Sequence, residues 1–345
     1  MDTTKTPARA LALPFEQGTL ELPEGACWLR AEADGALLPW RERLDCEQSF
    51  KPAHDRLRAR GWRVAPRLER PGGYRAALVL LTKHKGESRG LIARALDLLA
   101  PDGVLVCAGA NALGVASLEK ETRALVGLDG HLSKHQARVF WRRRPAILPE
   151  GLEGWRAGAA ARPVAGTALV ARAGCFSPDH PDPGSRLLLE HLPSSLAGRG
   201  ADLGAGWGFL SAGLLERFSA VTRVDLIEAE ALALEDARAN LAGFGERAGF
   251  FWHDALAGPP TDEPCEWVVC NPPFHDGGRT DPALGLGFIA TAWRALRRGG
   301  RLFLVANRHL PYEALLRSRF RRVTLLAEAD GYKVYGCDER VEESR

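Results

Sequence analysis

Short apolar segments alternating with amphipathic helices predict an α/β protein whose sheets are mostly parallel and covered by helices on both faces. Two further observations divide the chain into two tandem units. One order of elements occurs twice, and a glycine-rich turn stands between a strand and a helix in the second occurrence alone. The length of 345 residues fits two domains of roughly 150 residues each. The expected division is 1–150 and 166–345. The residues between, 151–165, lie in a stretch dense in Gly, Pro and Ala without sustained period and read as a connection.

In the front half Ala76–Leu81 reads as a buried strand, followed by the polar Thr82-Lys83-His84-Lys85. A helix from about Ser88 carries Leu91, Ile92, Ala95, Leu96 and Leu99 on one face. Pro101-Asp102-Gly103 turns into the strand Val104–Cys107, which leads to Ala110-Asn111. The back half repeats this order. Strand Trp267–Cys270 runs into the loop Asn271-Pro272-Pro273-Phe274. A helix with Ile289, Ala292, Trp293 and Leu296 on one face follows, then Gly299-Gly300, strand Leu302–Val305 and Ala306-Asn307. Further back-half strands centre on Asp202, Val224, Phe251 and Val323, with a last one at Tyr332–Tyr335. The repetition reads as a duplication in which only the second copy binds a cofactor.

Composition narrows the class. Apolar residues make up 46% and charged ones 26%, as in ordinary globular proteins. No apolar run approaches the roughly 20 residues that cross a bilayer, and the first fifteen residues hold none of signal-peptide length. Seven cysteines, odd in number and never spaced CxxC, argue against a disulfide framework or a zinc ribbon. A cytoplasmic protein without metal or membrane partner is expected. The net charge of +3 hides an asymmetry: 27 basic and 19 acidic residues through Arg172, against 19 and 24 beyond it. Arg56, Arg58, Arg60, Arg63, Arg67 and Arg70 form one dense stretch and Arg142–Arg144 another, which suits a front half that faces a polyanion.

The chemistry-bearing motifs lie in the back half. In Asp202-Leu203-Gly204-Ala205-Gly206-Trp207-Gly208, three glycines let the backbone turn tightly and approach a ligand. A phosphate-binding P-loop needs Gly-Lys-Ser/Thr, which is absent, and the dinucleotide fingerprint needs Gly where Phe209 stands. The remaining pattern, a carboxylate followed by alternate glycines, resembles class I S-adenosylmethionine-dependent methyltransferases. Asp202 suits the ammonium of that cofactor's methionine part. Glu228, ending a strand, can accept both ribose hydroxyls, with Glu230 and Asp225 as near competitors, and Asp254-Ala255, at the next strand end, can meet the adenine amino group. Asn271-Pro272-Pro273-Phe274 then defines the reaction. Two prolines stiffen the loop, so the Asn271 amide oxygen and the Pro272 carbonyl become fixed acceptors for a planar exocyclic amine. Such acceptors stabilise charge growing on nitrogen, while Phe274 offers a face for stacking. Cys270 reads as core, and His275 as a structural residue with a proton relay as the alternative.

The chain resembles, over nearly its whole length, the bacterial ribosomal RNA small subunit methyltransferase C family. Cys175-Phe176-Ser177-Pro178-Asp179 through Gly184-Ser185 looks like the family segment lining the methionine pocket, which makes Phe176 a cofactor residue by resemblance. Asn271–Phe274 with His275-Asp276-Gly277 looks like its catalytic loop, and Val305-Ala306-Asn307 through Leu310-Pro311-Tyr312 like its downstream strand. Glu228 stands where the family more often has Asp, and His180-Pro181 where it often has Gly. The resemblance implies two tandem Rossmann-like methyltransferase folds, the first degenerate and the second active. It implies Gly204, Ala205, Gly206 and Gly208 with Asp202, Glu228, Asp254, Ala255 and Asn271 around S-adenosylmethionine. It further implies a monomer that methylates guanine N2 in 16S ribosomal RNA or the small subunit. Rival readings are a guanine-N2 methyltransferase of 23S ribosomal RNA, an adenine-N6 DNA methyltransferase, a protein-glutamine methyltransferase, and a non-catalytic RNA chaperone.

Overall fold

Parallel strands buried on both faces are expected to be largely apolar; Ala26–Leu29 and residues 267–270 meet that condition, whereas Gly198–Leu203 carries the buried acid Asp202. The computed structural model describes residues 7–341 apart from 274, 277, 278 and 281. The chain divides after Ala160. The first unit runs α1 (Pro7–Glu16), β1 (Ala26–Leu29), β2 (Leu44–Glu47), α2 (Lys51–Ala59), β3 (Arg63–Ala65), β4 (Tyr74–Leu80), α3 (Lys85–Leu98) and β5 (Leu99–Ala110). It continues through α4 (Val115–Val126), β6 (Gly130–Lys134), β7 (Ala137–Arg143) and α5 (Gly151–Ala159). Its strands order as β3-β2-β1-β4-β5-β7-β6. The first five are parallel, and β7 and β6 are added antiparallel. Alternate side chains fill two cores. Trp28, Cys46, Leu78 and Val106 pack with Leu11 of α1, while Leu29, Val79 and Cys107 pack with Leu96 of α3 and Leu118 of α4.

The stretch expected as a connection is helical over most of its length. Helix α5 buries Leu152 completely among side chains of α3 and leans Trp155 on the same core. A Cβ at Gly90 of α3 would sit 2.2 Å from the Cβ of Ala159, so the two helices touch there without a side chain between them. Three glycines make α5 weak in isolation, and tertiary burial overrides that propensity.

The second unit begins with a hairpin of β8 (Arg162–Pro163) and β9 (Val170–Ala171). Next come α6 (Pro183–Glu190), β10 (Gly198–Leu203), α7 (Phe209–Arg217), β11 (Val221–Glu228), α8 (Ala231–Asn240), β12 (Ala248–Trp252) and β13 (Cys265–Cys270). The short β14 (His275–Asp276) and β15 (Arg279–Thr280) precede α9 (Pro282–Ala295), β16 (Leu296–Asn307), α10 (Glu313–Arg319), β17 (Phe320–Ala329) and β18 (Tyr332–Arg340). The main sheet orders as β12-β11-β10-β13-β16-β18-β17, strand for strand the order of the first unit. Even an irregularity recurs: pairing along β5 skips from Leu99 to Val104, and along β16 from Leu296 to Arg301. The turns expected at Pro101–Gly103 and Gly299-Gly300 are therefore bulges inside long strands, with Asp102 at φ 61° and Gly299 at φ 72°.

Matching the two ladders at Leu29 and Leu203 explains why one copy is degenerate. Trp28 then stands at the place of Asp202, Arg30 at Gly204, Gln48 at Glu228 and Leu80 at Asn271. Arg30 keeps the left-handed backbone of the glycine it replaces, at φ 56° against 76°. Its guanidinium donates to Ser49 Oγ at 3.0 Å and pairs with Glu87 at 3.5 Å. The Ala-Asn echo of the sequence is out of step by one residue, since Asn307 is level with Ala110 rather than Asn111.

The basic clusters of the first unit divide by their partners. Arg142 pairs with Asp129 at 2.5 Å, Arg143 donates to the Asp102 carbonyl and Arg144 to the Leu96 carbonyl, each at 3.0 Å. These three serve the fold. Arg63 reaches Asp45 at 3.0 Å, and it is exposed, as are Arg56 and Arg58 of α2.

Candidate active site

In a parallel sheet every strand delivers its C-terminal end to one edge, and in the second unit β10, β11, β12 and β13 bring four loops together there. Asp202, next to the end of β10, is fully buried. Its Oδ2 accepts the Ser211 hydroxyl at 2.7 Å, while Oδ1 has no partner among the described residues. Burial pushes its carboxyl up to about 7, against the Ser211 hydrogen bond and with help from the charge of Glu228.

Beyond Asp202, Gly204, Gly206 and Gly208 take φ of 76°, 55° and 89°, a region that L side chains rarely adopt. The Gly204 and Ala205 N–H groups donate to the Ile227 carbonyl at 2.9 and 3.2 Å, which binds the loop to β11. A Cβ at Gly206 would meet nothing within 4 Å, so this glycine borders open space; at Gly208 it would lie 2.6 Å from Leu241 Cδ1. Between them Trp207 is buried, and its indole N–H donates to the Phe176 carbonyl at 2.9 Å. Asn240 of α8 donates to the Trp207 and Val170 carbonyls at 2.7 and 2.8 Å, tying the loop to β9. Phe176 is thus held by its backbone beside the loop, and the residue is 59% exposed. Trp207 and Asn240 were not singled out in the sequence. The only local signal was an indole inside a glycine-rich turn.

Glu228 ends β11. Its Oε2 accepts the Gly206 N–H at 2.8 Å and its Oε1 the Glu230 N–H at 2.7 Å, so each oxygen keeps a lone pair for a further donor. Burial raises its pKa against those two hydrogen bonds. Neither Asp202 nor Glu228 has a basic partner among the described residues, and so this edge carries uncompensated acidity. Asp254, after β12, caps the short turn Ala255–Ala257 by accepting the Leu256 N–H at 2.9 Å. The Ala255 side chain is buried and its carbonyl accepts the Thr291 hydroxyl at 2.6 Å, so both serve the packing of α9.

Asn271 follows β13. Its amide nitrogen donates to Asp182 Oδ2 and to Ser185 Oγ, both at 2.8 Å. Pro272 is buried and Pro273 exposed. Phe274 and the His275 side chain lie outside the described residues. Cys270 is 1% exposed and its thiol is pushed well above the ordinary value, first by burial, which leaves it a neutral core group.

The buried acid with an unpartnered oxygen, the left-handed glycines bordering open space and the strand-end carboxylate fit S-adenosylmethionine, whose ammonium and ribose hydroxyls supply the missing donors. This sheet order with this edge defines a class I S-adenosylmethionine-dependent methyltransferase. Residues 166–336 match the family model described as "Methyltransferase small domain". Ribosomal RNA small subunit methyltransferase C of Shewanella sp. MR-4 is 32% identical over 270 residues, 77% of this chain and 78% of that protein. The Shewanella oneidensis protein of the same name is 32% identical over 76% of each chain. A solved structure described as T. thermophilus 16S rRNA N2 G1207 methyltransferase in complex with AdoMet and guanosine covers 98% of this chain and 93% of its own. It matches with a TM-score of 0.78 at 26% identity. The chain belongs to the ribosomal RNA small subunit methyltransferase C family.

Proposed function

We propose that this protein transfers a methyl group from S-adenosylmethionine to the exocyclic N2 amine of a guanine in 16S ribosomal RNA, at the position that the T. thermophilus relative's name gives as 1207. The observation that carries the reading is Asn271. With both amide hydrogens engaged by Asp182 and Ser185, its Oδ1 remains as the acceptor for an amine.

Bound S-adenosylmethionine supplies an already activated methyl group on a sulfonium. The chain's own residues position and stabilise. Asp202 and Glu228 offer oxygens for an ammonium and for hydroxyls, and the loop from Gly204 to Gly208 lets the backbone lie close to them. Asn271 Oδ1 and the Pro272 carbonyl accept the two amine hydrogens, which draws the nitrogen lone pair toward the methyl carbon. They stabilise the positive charge that grows on nitrogen as the new bond forms. The proton leaves after transfer, so no strong base is required. Phe274 is assigned to stacking on the guanine from its place in the motif. The base must leave its stack, which costs a few kcal/mol and favours an open region of RNA. The first unit, with Arg56 and Arg58 exposed, supports the RNA, and the protein acts as a cytoplasmic monomer without metal.

Purified protein with labelled cofactor, offered small subunits, naked 16S RNA, large-subunit RNA, DNA and release factor, tests this reading. Label in a guanine of 16S RNA is expected, in the subunit or the free RNA. Label confined to DNA, to large-subunit RNA or to protein overturns it.

A further inference from the structure

The Asn271 amide can be presented in two orientations that differ only by exchange of oxygen and nitrogen, and only one of them accepts an amine. Asp182 decides between them. Its Oδ2 accepts from Asn271 Nδ2 at 2.8 Å and from the Ser185 N–H at 2.9 Å, where it also caps α6. Ser185 Oγ takes the second Asn271 hydrogen at 2.8 Å. A carboxylate accepts and never donates, so turning the amide over would set Asn271 Oδ1 against an anionic oxygen and forfeit a charge-assisted hydrogen bond. These residues come from the first turn of α6 and the end of β13, 86 and 89 positions apart. The turn is itself tightly set: a Cβ at Gly184 would lie 2.8 Å from the Tyr332 ring and 3.0 Å from Asp182 Oδ2.

We propose that Asp182 and Ser185 are positioning residues for the methyl-transfer step, a polarity lock that fixes which face of the Asn271 amide meets the substrate amine. The proposal rests on the function assigned above. Neither residue needs to touch guanine. Their effect runs through Asn271, and it is read in the rate of the transfer step with cofactor saturating.

Asp182→Asn isolates this effect, because asparagine caps a helix as well as aspartate does but can donate as well as accept. The amide of residue 271 then loses its preferred orientation. In single-turnover assays on the small subunit at saturating cofactor, Asp182→Asn is expected to slow transfer about 10- to 100-fold, with a melting temperature close to that of the unaltered protein. Ser185→Ala, which leaves the carboxylate in place, is expected to slow it about 3- to 10-fold. The discriminating measurement is the double variant. Once Asn271→Ala has removed the amide, adding Asp182→Asn should slow transfer no further.

An Asp182→Asn rate within twofold of the unaltered protein overturns the lock. So does a further slowing of similar size in the Asn271→Ala background, which would mark Asp182 as a structural residue. Should Asp182→Asn melt early, Ser185→Ala with and without Asn271→Ala supplies the same comparison. Failure of the assigned function reads differently: Asn271→Ala itself would transfer at full rate, or the unaltered protein would not label the RNA at all.

Discussion

Replacing Asp202 by Asn should make the cofactor-free protein more stable above neutral pH while impairing it as an enzyme. The magnitude follows from burial. The folded carboxyl has its pKa raised from 3.8 to about 7, first by desolvation. Its ionisation above pH 7 therefore costs the folded state about 4 kcal/mol, at about 1.36 kcal/mol per pH unit. The sign is opposite to that of a salt-bridged acid. Below pH 4 the group is neutral in both states and costs nothing. As pH rises through 4 to 7 the unfolded chain loses its proton first, so stability falls, and above 7 the loss is complete. Asparagine keeps the acceptor for Ser211 and carries no charge, but it leaves an unpaired N–H where Oδ1 was, at about 1–3 kcal/mol. The net expectation is a gain of about 1–3 kcal/mol at pH 8 that shrinks as pH falls and becomes a loss of about 1–3 kcal/mol near pH 4, where only the unpaired N–H is left. Thermal denaturation of both proteins from pH 4 to 9, with hydrogen exchange of β10 to localise the effect, measures it. A variant less stable than its parent at pH 8, or a difference that does not change with pH, would refute the burial reasoning.

The same carboxyl predicts that S-adenosylhomocysteine affinity, measured by calorimetry, falls about tenfold per pH unit below 7, since the ammonium requires the ionised form. Two glycine substitutions should separate function from fold. Gly206→Ala, with open space at its Cβ, should weaken cofactor binding at a stability cost of about 1 kcal/mol, whereas Gly208→Ala, against Leu241, should lower the melting temperature outright. Arg172→Ala should destabilise by about 3 kcal/mol in chemical denaturation, because it takes the guanidinium, which donates at 2.6 Å, from the nearly fully buried Asp236 and leaves it the backbone N–H of residue 172.

The back half was legible because strands and helices alternate along it and its strand ends carry distinctive residues; the expected strand centres, from Asp202 to Tyr332–Tyr335, all fall within observed strands. The first three strands of the front half were not read. They are three or four residues long, with little room for a period to show. Helix α5 was missed because Gly151, Gly154 and Gly158 hide its apolar face, which exists only by virtue of α3. The resemblance had pointed to the segment around Ser185, but no local pattern announces a hydrogen bond to a residue 86 positions away. The same holds for the arginines: a cluster at Arg142–Arg144 looks like a polyanion site until the carbonyls it serves are seen.

The arginine at position 30 has an evolutionary consequence. Restoring glycine there would return the turn but leave a tryptophan sealing the place of the acid and a leucine where the amide should stand. No single exchange to the second unit's residue would therefore rebuild its pocket in the first unit, because the three positions stand on neighbouring strands and act together. The front copy is thereby free to diverge in whatever direction its surface is selected, and the chemistry stays with its sibling.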